Sequence, residues 1–266
     1  MSRRSRGAGL RREYAVLMPP LLGAERRELL MSILGRAGVI RLDTAAEELG
    51  VSVMTVRRDL GDLEAEGLVR RVRGGAVAPI LPEPFGARAA SRSTAKGEIA
   101  RKALPLVPAQ GAVAFDASTT SGALLTALDA RDLLVCTNSV ENAAAARRRP
   151  GVRSVLVGGE LEETTGSFVG PIAHLAARSL SYAVFFTSAS AVDAEFGPSE
   201  ASLAEVEVKR CFADQSDRTV LLVDASKLGL RALARGLDWA AIDLLITELS
   251  PSDARLDPYR DLVEVL

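Results

Sequence analysis

Residues 52–77 read SVMTVRRDLGDLEAEGLVRRVRGGAV, and the class of fold turns on them. Ser52 suits an N-cap, opening a helix from Val53 to about Glu66 that Gly67 closes. At ~100° per residue Val56, Leu60 and Leu63 fall on one stripe, while Met54, Arg58 and Asp62 point the other way. Thr55 and Arg57 lie on the flanks. The following LVRRVRGGAV (68–77) alternates around a Gly–Gly turn, as a two-stranded basic wing would.

Upstream, Leu29, Leu30, Ile33 and Leu34 give one apolar face to a helix running from about Ala24 to Gly35–Gly38. Ala45, Ala46 and Leu49 predict a short second helix, with Asp43 or Thr44 as N-cap and Gly50 as its end. Helix, short helix, tight turn, helix and hairpin make a winged helix-turn-helix over residues 24–78. A helix that enters the major groove presents its N-terminal residues to base edges and phosphates. The candidate DNA-binding set is therefore Ser52, Met54, Thr55, Arg57 and Arg58, with Arg70, Arg71 and Arg73 on the wing. Arg57 or Arg58 suits a bidentate guanine contact and the other a phosphate. On the helix alone a solvated charged face explains the pattern equally well; the wing arginines favour DNA.

Residues 79–95 hold three prolines among small and polar residues and read as a linker. Beyond it, over 96–266, short apolar runs alternate with helical stretches. The runs are 112–115, 133–136, 154–157, 183–186, 219–223 and 243–247; the helices are expected at 121–128, 140–148, 171–180 and 201–212. Near-continuous apolar strands between helices predict a mostly parallel α/β sheet covered on both faces. Ligands in such sheets bind beyond the carboxyl ends of strands. The turns DASTT (116–120), TNS (137–139), GGE (158–160), TSASAVD (187–193) and DASK (224–227) collect there.

The net charge of −1 over 266 residues hides a division. Residues 1–80 carry fourteen Arg against ten Asp/Glu, whereas 81–266 carry nineteen Lys/Arg against twenty-four Asp/Glu. A basic reader joined to an acidic second domain accounts for that split. A single histidine, His174, leaves no material for paired-His zinc sites and little for Ser–His–Asp catalysis. It is expected as a surface or packing residue. Cys136 and Cys211 sit in apolar runs and read as buried thiols of a reducing cytosol. Residues 1–23 resemble a disordered basic arm more than a signal peptide, and no run reaches the ~18 residues of a spanning helix. A cytoplasmic protein with no metal, cofactor or membrane partner is expected.

Each candidate in the second domain has a plain structural reading beside the functional one. Ser118, Thr119 and Thr120 stand where hydroxyls and helix N–H groups hold phosphates, yet D-x-S-T is also an ordinary N-cap. Asp116 is placed to orient a sugar hydroxyl. Gly158 and Gly159 suit either a ligand approach or a tight turn. Glu205 and Lys209, four apart on one helix, are either a surface ion pair or two charges aimed into the cleft. Lys227 follows a strand directly, well placed for a phosphate. Only four lysines occur against twenty-nine arginines, so a lysine marks a place where arginine does not serve.

Taken together, Ser52, Thr55 to Leu60, Leu63, Glu64 and Gly67 resemble the helix-turn-helix signature of DeoR-type bacterial transcriptional regulators. Arg71 to Ala76 is similar to that family's wing. DASTT, TNS, GGE, Glu205 with Lys209, and VDASK (223–227) follow in the family's order, so the resemblance runs from about Glu25 to Thr247. It implies a C-terminal domain resembling ribose phosphate isomerase that binds a phosphorylated sugar or related metabolite and alters operator affinity. By position, Ser118, Thr119 and Thr120 would cradle the phosphate, Lys227 would neutralise it, and Asp116, Glu205 and Lys209 would face the sugar. The chain departs from the pattern at Ala117 and in 187–193, where the family often has Gly, and at Arg73, where it often has His. The expected function is sequence-specific regulation of carbohydrate or related genes, as a repressor, on double-stranded operator DNA. A homo-oligomer, dimer or tetramer, is expected because one reading helix covers only a half-site. The rival from another class is a sugar-phosphate isomerase or deaminase with Glu205 as base.

Overall fold

The computed structural model of the chain describes residues 22–129 and 131–266. The expected basic arm lies outside them, apart from Leu22 and Gly23, which begin the first helix. Two compact units meet in the chain after Pro79.

The first unit contains α1 (Gly23–Ala37), β1 (Val39–Arg41), α2 (Leu42–Leu49), α3 (Val53–Ala65), β2 (Arg70–Val72) and β3 (Gly75–Val77). Its core holds Leu30, Leu34, Ile40, Ala45, Ala46 and Leu49 with Val56, Leu60 and Leu63, the stripe read from the sequence. α2 starts earlier than expected. Leu42 is its first helical residue and is buried, so Asp43 and Thr44 lie inside the first turn and neither caps it. The cap of α3 is Ser52, whose hydroxyl accepts from Thr55 N–H at 3.1 Å. β1, β3 and β2 form an antiparallel sheet in that order. Gly75 is required there, because a Cβ would come within 1.8 Å of Ile40 O.

The second unit begins at Ile80, and the linker expected over 79–95 is corrected by structure within it. Pro84 precedes α4 (Phe85–Ala90), and α5 (Ser93–Ala103) follows. Prolines are compatible with a docked chain when it makes its bonds through carbonyls and side chains, as this one does. Next come β4 (Gln110–Phe115), α6 (Thr119–Ala127), β5 (Asp132–Thr137), α7 (Val140–Arg147) and β6 (Val152–Leu156). A hairpin, β7 (Glu160–Glu162) with β8 (Ser167–Val169), leads to α8 (Gly170–Arg178) and β9 (Val184–Thr187). The remaining elements are β10 (Ala191–Asp193), β11 (Gly197–Glu200), α9 (Leu203–Asp214), β12 (Thr219–Leu222), β13 (Ala234–Arg235), β14 (Leu244–Ile246) and β15 (Glu264–Val265).

Seven strands make one sheet in the order β15-β14-β12-β9-β4-β5-β6, with every pairing parallel. Alternation along each strand fills two cores. Val113, Phe115, Val184 and Phe186 face one layer, and Ala114, Phe185 and Leu221 the other. From β4 the chain lays strands first on one side and then, from β9, on the other. The reversal falls between β4 and β9, where the crevice of an open α/β sheet forms. Among the described residues no helix is long and apolar enough to cross a membrane.

Candidate functional site

The first unit exposes one charged, ridged face. Met54, Arg57 and Arg58 of α3 are exposed, as are Arg71 and Arg73 of the wing. Arg57, Arg71 and Arg73 line a groove of about 260 Å³ with Leu42, Leu60, Val72, Gly74 and Gly75. Arg71 N–H donates to Glu64 at 2.8 Å, fastening wing to helix. Arg70 departs from its expected place: within β2 it is half-buried, whereas Arg71 beside it is exposed. Thr55 is also half-buried, and its hydroxyl pairs with that of Ser52 at 2.9 Å. Sequence reasoning missed Asp59. It is buried and accepts two bonds from Arg26 of α1, at 2.7 and 2.9 Å.

In the second unit the strand ends meet around Asp116, which is fully buried just beyond β4. Its Oδ1 accepts from Ser118 N–H at 3.0 Å and Ser121 Oγ at 2.7 Å. Its Oδ2 accepts from Ser188 N–H at 2.7 Å and Thr187 Oγ1 at 2.9 Å, with Lys209 Nζ at 2.9 Å. Burial alone would raise this carboxyl, but the Lys209 charge and the bonds from Ser118, Ser188 and Ser121 outweigh it and hold it at about 2. Five donors occupy the roughly four lone-pair positions of a carboxylate. Asp116 thus joins β4 to β9 across the switch point, with no capacity left for a sugar hydroxyl.

Lys209 is saturated in the same way. Its three protons go to Asp116, Ser188 O at 2.8 Å and Glu200. Burial works against its charge, and Asp116, Glu200 and Glu205 more than restore it, so its pKa lies well above the lysine range. Glu205 and Lys209 are both buried, which sets aside the surface ion pair. Glu205 itself is raised by burial and by Glu200.

Ser118 caps α6, accepting from Ser121 N–H at 3.1 Å. Thr119 and Thr120 open that helix and are buried; Thr120 Oγ1 has no hydrogen-bond partner. Ala117 fits without left-handed backbone, since Arg92 is the one non-glycine with positive φ among the described residues. Lys227 donates to Ala189 O and lies 3.5 Å from Ser188 Oγ. An ammonium has three donors, so one remains. Burial lowers the pKa of Lys227, and Glu200 and Asp224 oppose that shift. A Cβ at Gly158 would meet open space. Gly159 has φ 156°, and a Cβ there would come within 2.5 Å of Val169 O, so packing against β8 accounts for the residue. His174 is half-buried on α8.

Several residues beyond the expected set complete the site. Asn142 Nδ2 donates to Asp116 O at 2.8 Å and Ser118 O at 3.0 Å. From α4, Arg88 donates to Ala117 O at 3.3 Å and Thr165 O at 3.1 Å, pinning the DASTT turn from above. Lys96 closes α4 by donating to Arg88 O and Ser91 O. Ser121 and Asn142 follow the recognised turns by one and three residues, a proximity that could have found them. Arg88, within a proline-rich stretch, carried no such signal.

A winged-helix DNA reader followed in the chain by a parallel α/β unit with a buried polar cluster at its switch point is the architecture of a ligand-responsive regulator. Residues 26–79 match the DeoR-like helix-turn-helix domain and residues 91–249 the DeoR C terminal sensor domain. The chain belongs to the DeoR family of transcriptional regulators. It is 30% identical over 247 residues to the L-fucose operon activator of Haemophilus influenzae, covering 91% of this chain and 99% of that one. Identity to the glycerol-3-phosphate regulon repressor of Escherichia coli is 27% over 232 residues, covering 85% and 91%. Among solved structures, ribose 5-phosphate isomerase A from Neisseria gonorrhoeae aligns at 18% identity and TM-score 0.35, over 50% of this chain and 52% of that one.

Proposed function

We propose that this regulator is a cytoplasmic repressor of carbohydrate-related genes, released from or loaded onto its operator by a phosphorylated sugar or polyol. Relatives named for an L-fucose operon and a glycerol-3-phosphate regulon support the metabolite class. The single observation that carries the ligand assignment is Lys227, a cation with a donor to spare that contacts Ser188, the residue whose N–H shares Asp116 with Ser118 N–H. Ser118, Thr119 and Thr120 lie at the α6 N-terminus, which favours an anion. Asp116 and Lys209 act behind them as the rigid floor. DNA is read by Arg57 and Arg58 with Arg71 and Arg73, as a homo-oligomer whose half-sites lie ~10 bp or a multiple apart. The effector acts only through unequal affinity for the two states.

A thermal-shift panel of three- to six-carbon sugar and polyol phosphates tests the ligand class. One member is expected to raise the melting temperature of the wild type and not of Lys227→Ala, which still binds DNA. A panel without effect, or an undiminished shift in Lys227→Ala, contradicts the assignment. The rival reading, an isomerase, draws on the raised Glu205 carboxyl, a state suited to proton transfer. An aldose–ketose interconversion assay is expected to show no turnover; turnover abolished by Glu205→Gln would favour the enzyme.

A further inference from the structure

We propose that Met54 reads the C5-methyl group of a thymine in the major groove and so sets a base preference of the operator. The proposal rests on α3 being the DNA-reading helix, and it names what the apolar part of that helix recognises. Among the described residues of α3, Met54 is the one large apolar side chain left exposed, at 68%. Val56, Leu60 and Leu63 are all buried on the opposite side.

The first turn of α3 offers little else that is free to read a base. Ser52 Oγ is engaged with Thr55 N–H and with the Thr55 hydroxyl. Val53 packs half-buried against the core. Met54 stands four residues before Arg58 and three before Arg57, on the same outward side. A thioether has no donor and is a weak acceptor, so it adds nothing at a phosphate or a guanine edge. The apolar feature that the major groove offers is the thymine methyl. An unbranched, polarizable side chain adapts to such a contact better than a branched one.

The test begins by selecting binding sequences from a random duplex pool with the full chain. Each thymine of the enriched sequence is then replaced by deoxyuridine, which removes only the methyl. At one thymine per half-site, wild-type affinity is expected to fall about three- to fivefold. Met54→Ala, with unchanged melting temperature, is expected to bind the thymine and deoxyuridine duplexes equally. Met54→Leu keeps the preference. If no replacement has an effect that depends on residue 54, the proposal is overturned while DNA reading stands. If the pool yields no enriched sequence, DNA reading itself falls, and the proposal with it.

Discussion

Arg26 of α1 donates through Nε and Nη2 to both carboxylate oxygens of Asp59, at 2.7 and 2.9 Å. The pair is a part-buried polar tie between α1 and α3, beside the apolar packing of Val56, Leu60 and Leu63. Asp59→Ala is expected to lower stability by about 1–3 kcal/mol in urea denaturation, the range for bonds to a charged group. The cycle with Arg26→Ala should show that the two losses do not add. Additive losses would mean that the pair does not couple the helices.

Arg58 makes no such internal contribution. Arg58→Ala should leave stability within ~0.5 kcal/mol, as surface substitutions do, while removing specific operator binding. Operator affinity equal to that of the wild type would show that a different face of α3 enters the groove.

The switch-point carboxylate gives the sensor unit an acid limb. Asp116 titrates at about 2 when folded, below its ordinary 3.8. An acid depressed on folding stabilises the fold above its unfolded pKa and loses that contribution as pH falls through the folded value. Stability should therefore drop by about 2 kcal/mol between pH ~4 and ~2 from this group. Asp116→Asn strands Lys209 beside one remaining carboxylate partner, Glu200. It should cost about 3–5 kcal/mol at neutral pH, as breaking a buried pair does, and flatten the acid limb. An unchanged limb in that variant would assign the acid loss to other groups.

Arg88 ties α4 to the turns at Ala117 and Thr165. Arg88→Met should speed amide hydrogen exchange across α4 and in the 116–121 turn, with the sheet core unaffected. Undiminished protection in both segments would show that α4 is held by its apolar contacts alone.

The winged helix was legible because each signal was local: a 3.6-residue stripe, a Ser cap, and a Gly–Gly turn in which Gly74 takes φ 87°. The alternating sheet was legible for the same reason. The floor of the site was not, because it is made of long-range bonds. Thr187 and Ser188 reach Asp116 from β9, and Glu200 reaches Lys209 from β11. The lysine bias had a meaning other than phosphate binding alone. All four lysines donate to backbone carbonyls: Lys96 to Arg88 and Ser91, Lys102 to Leu249, Lys209 to Ser188, and Lys227 to Ala189.

The exposed arginines of α3 and the wing are expected to read a DNA sequence. Fluorescence anisotropy with the duplex upstream of the protein's own gene, at moderate salt and against a scrambled duplex, measures this most directly. Tight binding to the upstream duplex that survives salt concentrations at which the scrambled one is released is the expected result. Equal affinity for both duplexes, fading together as salt rises, would contradict it.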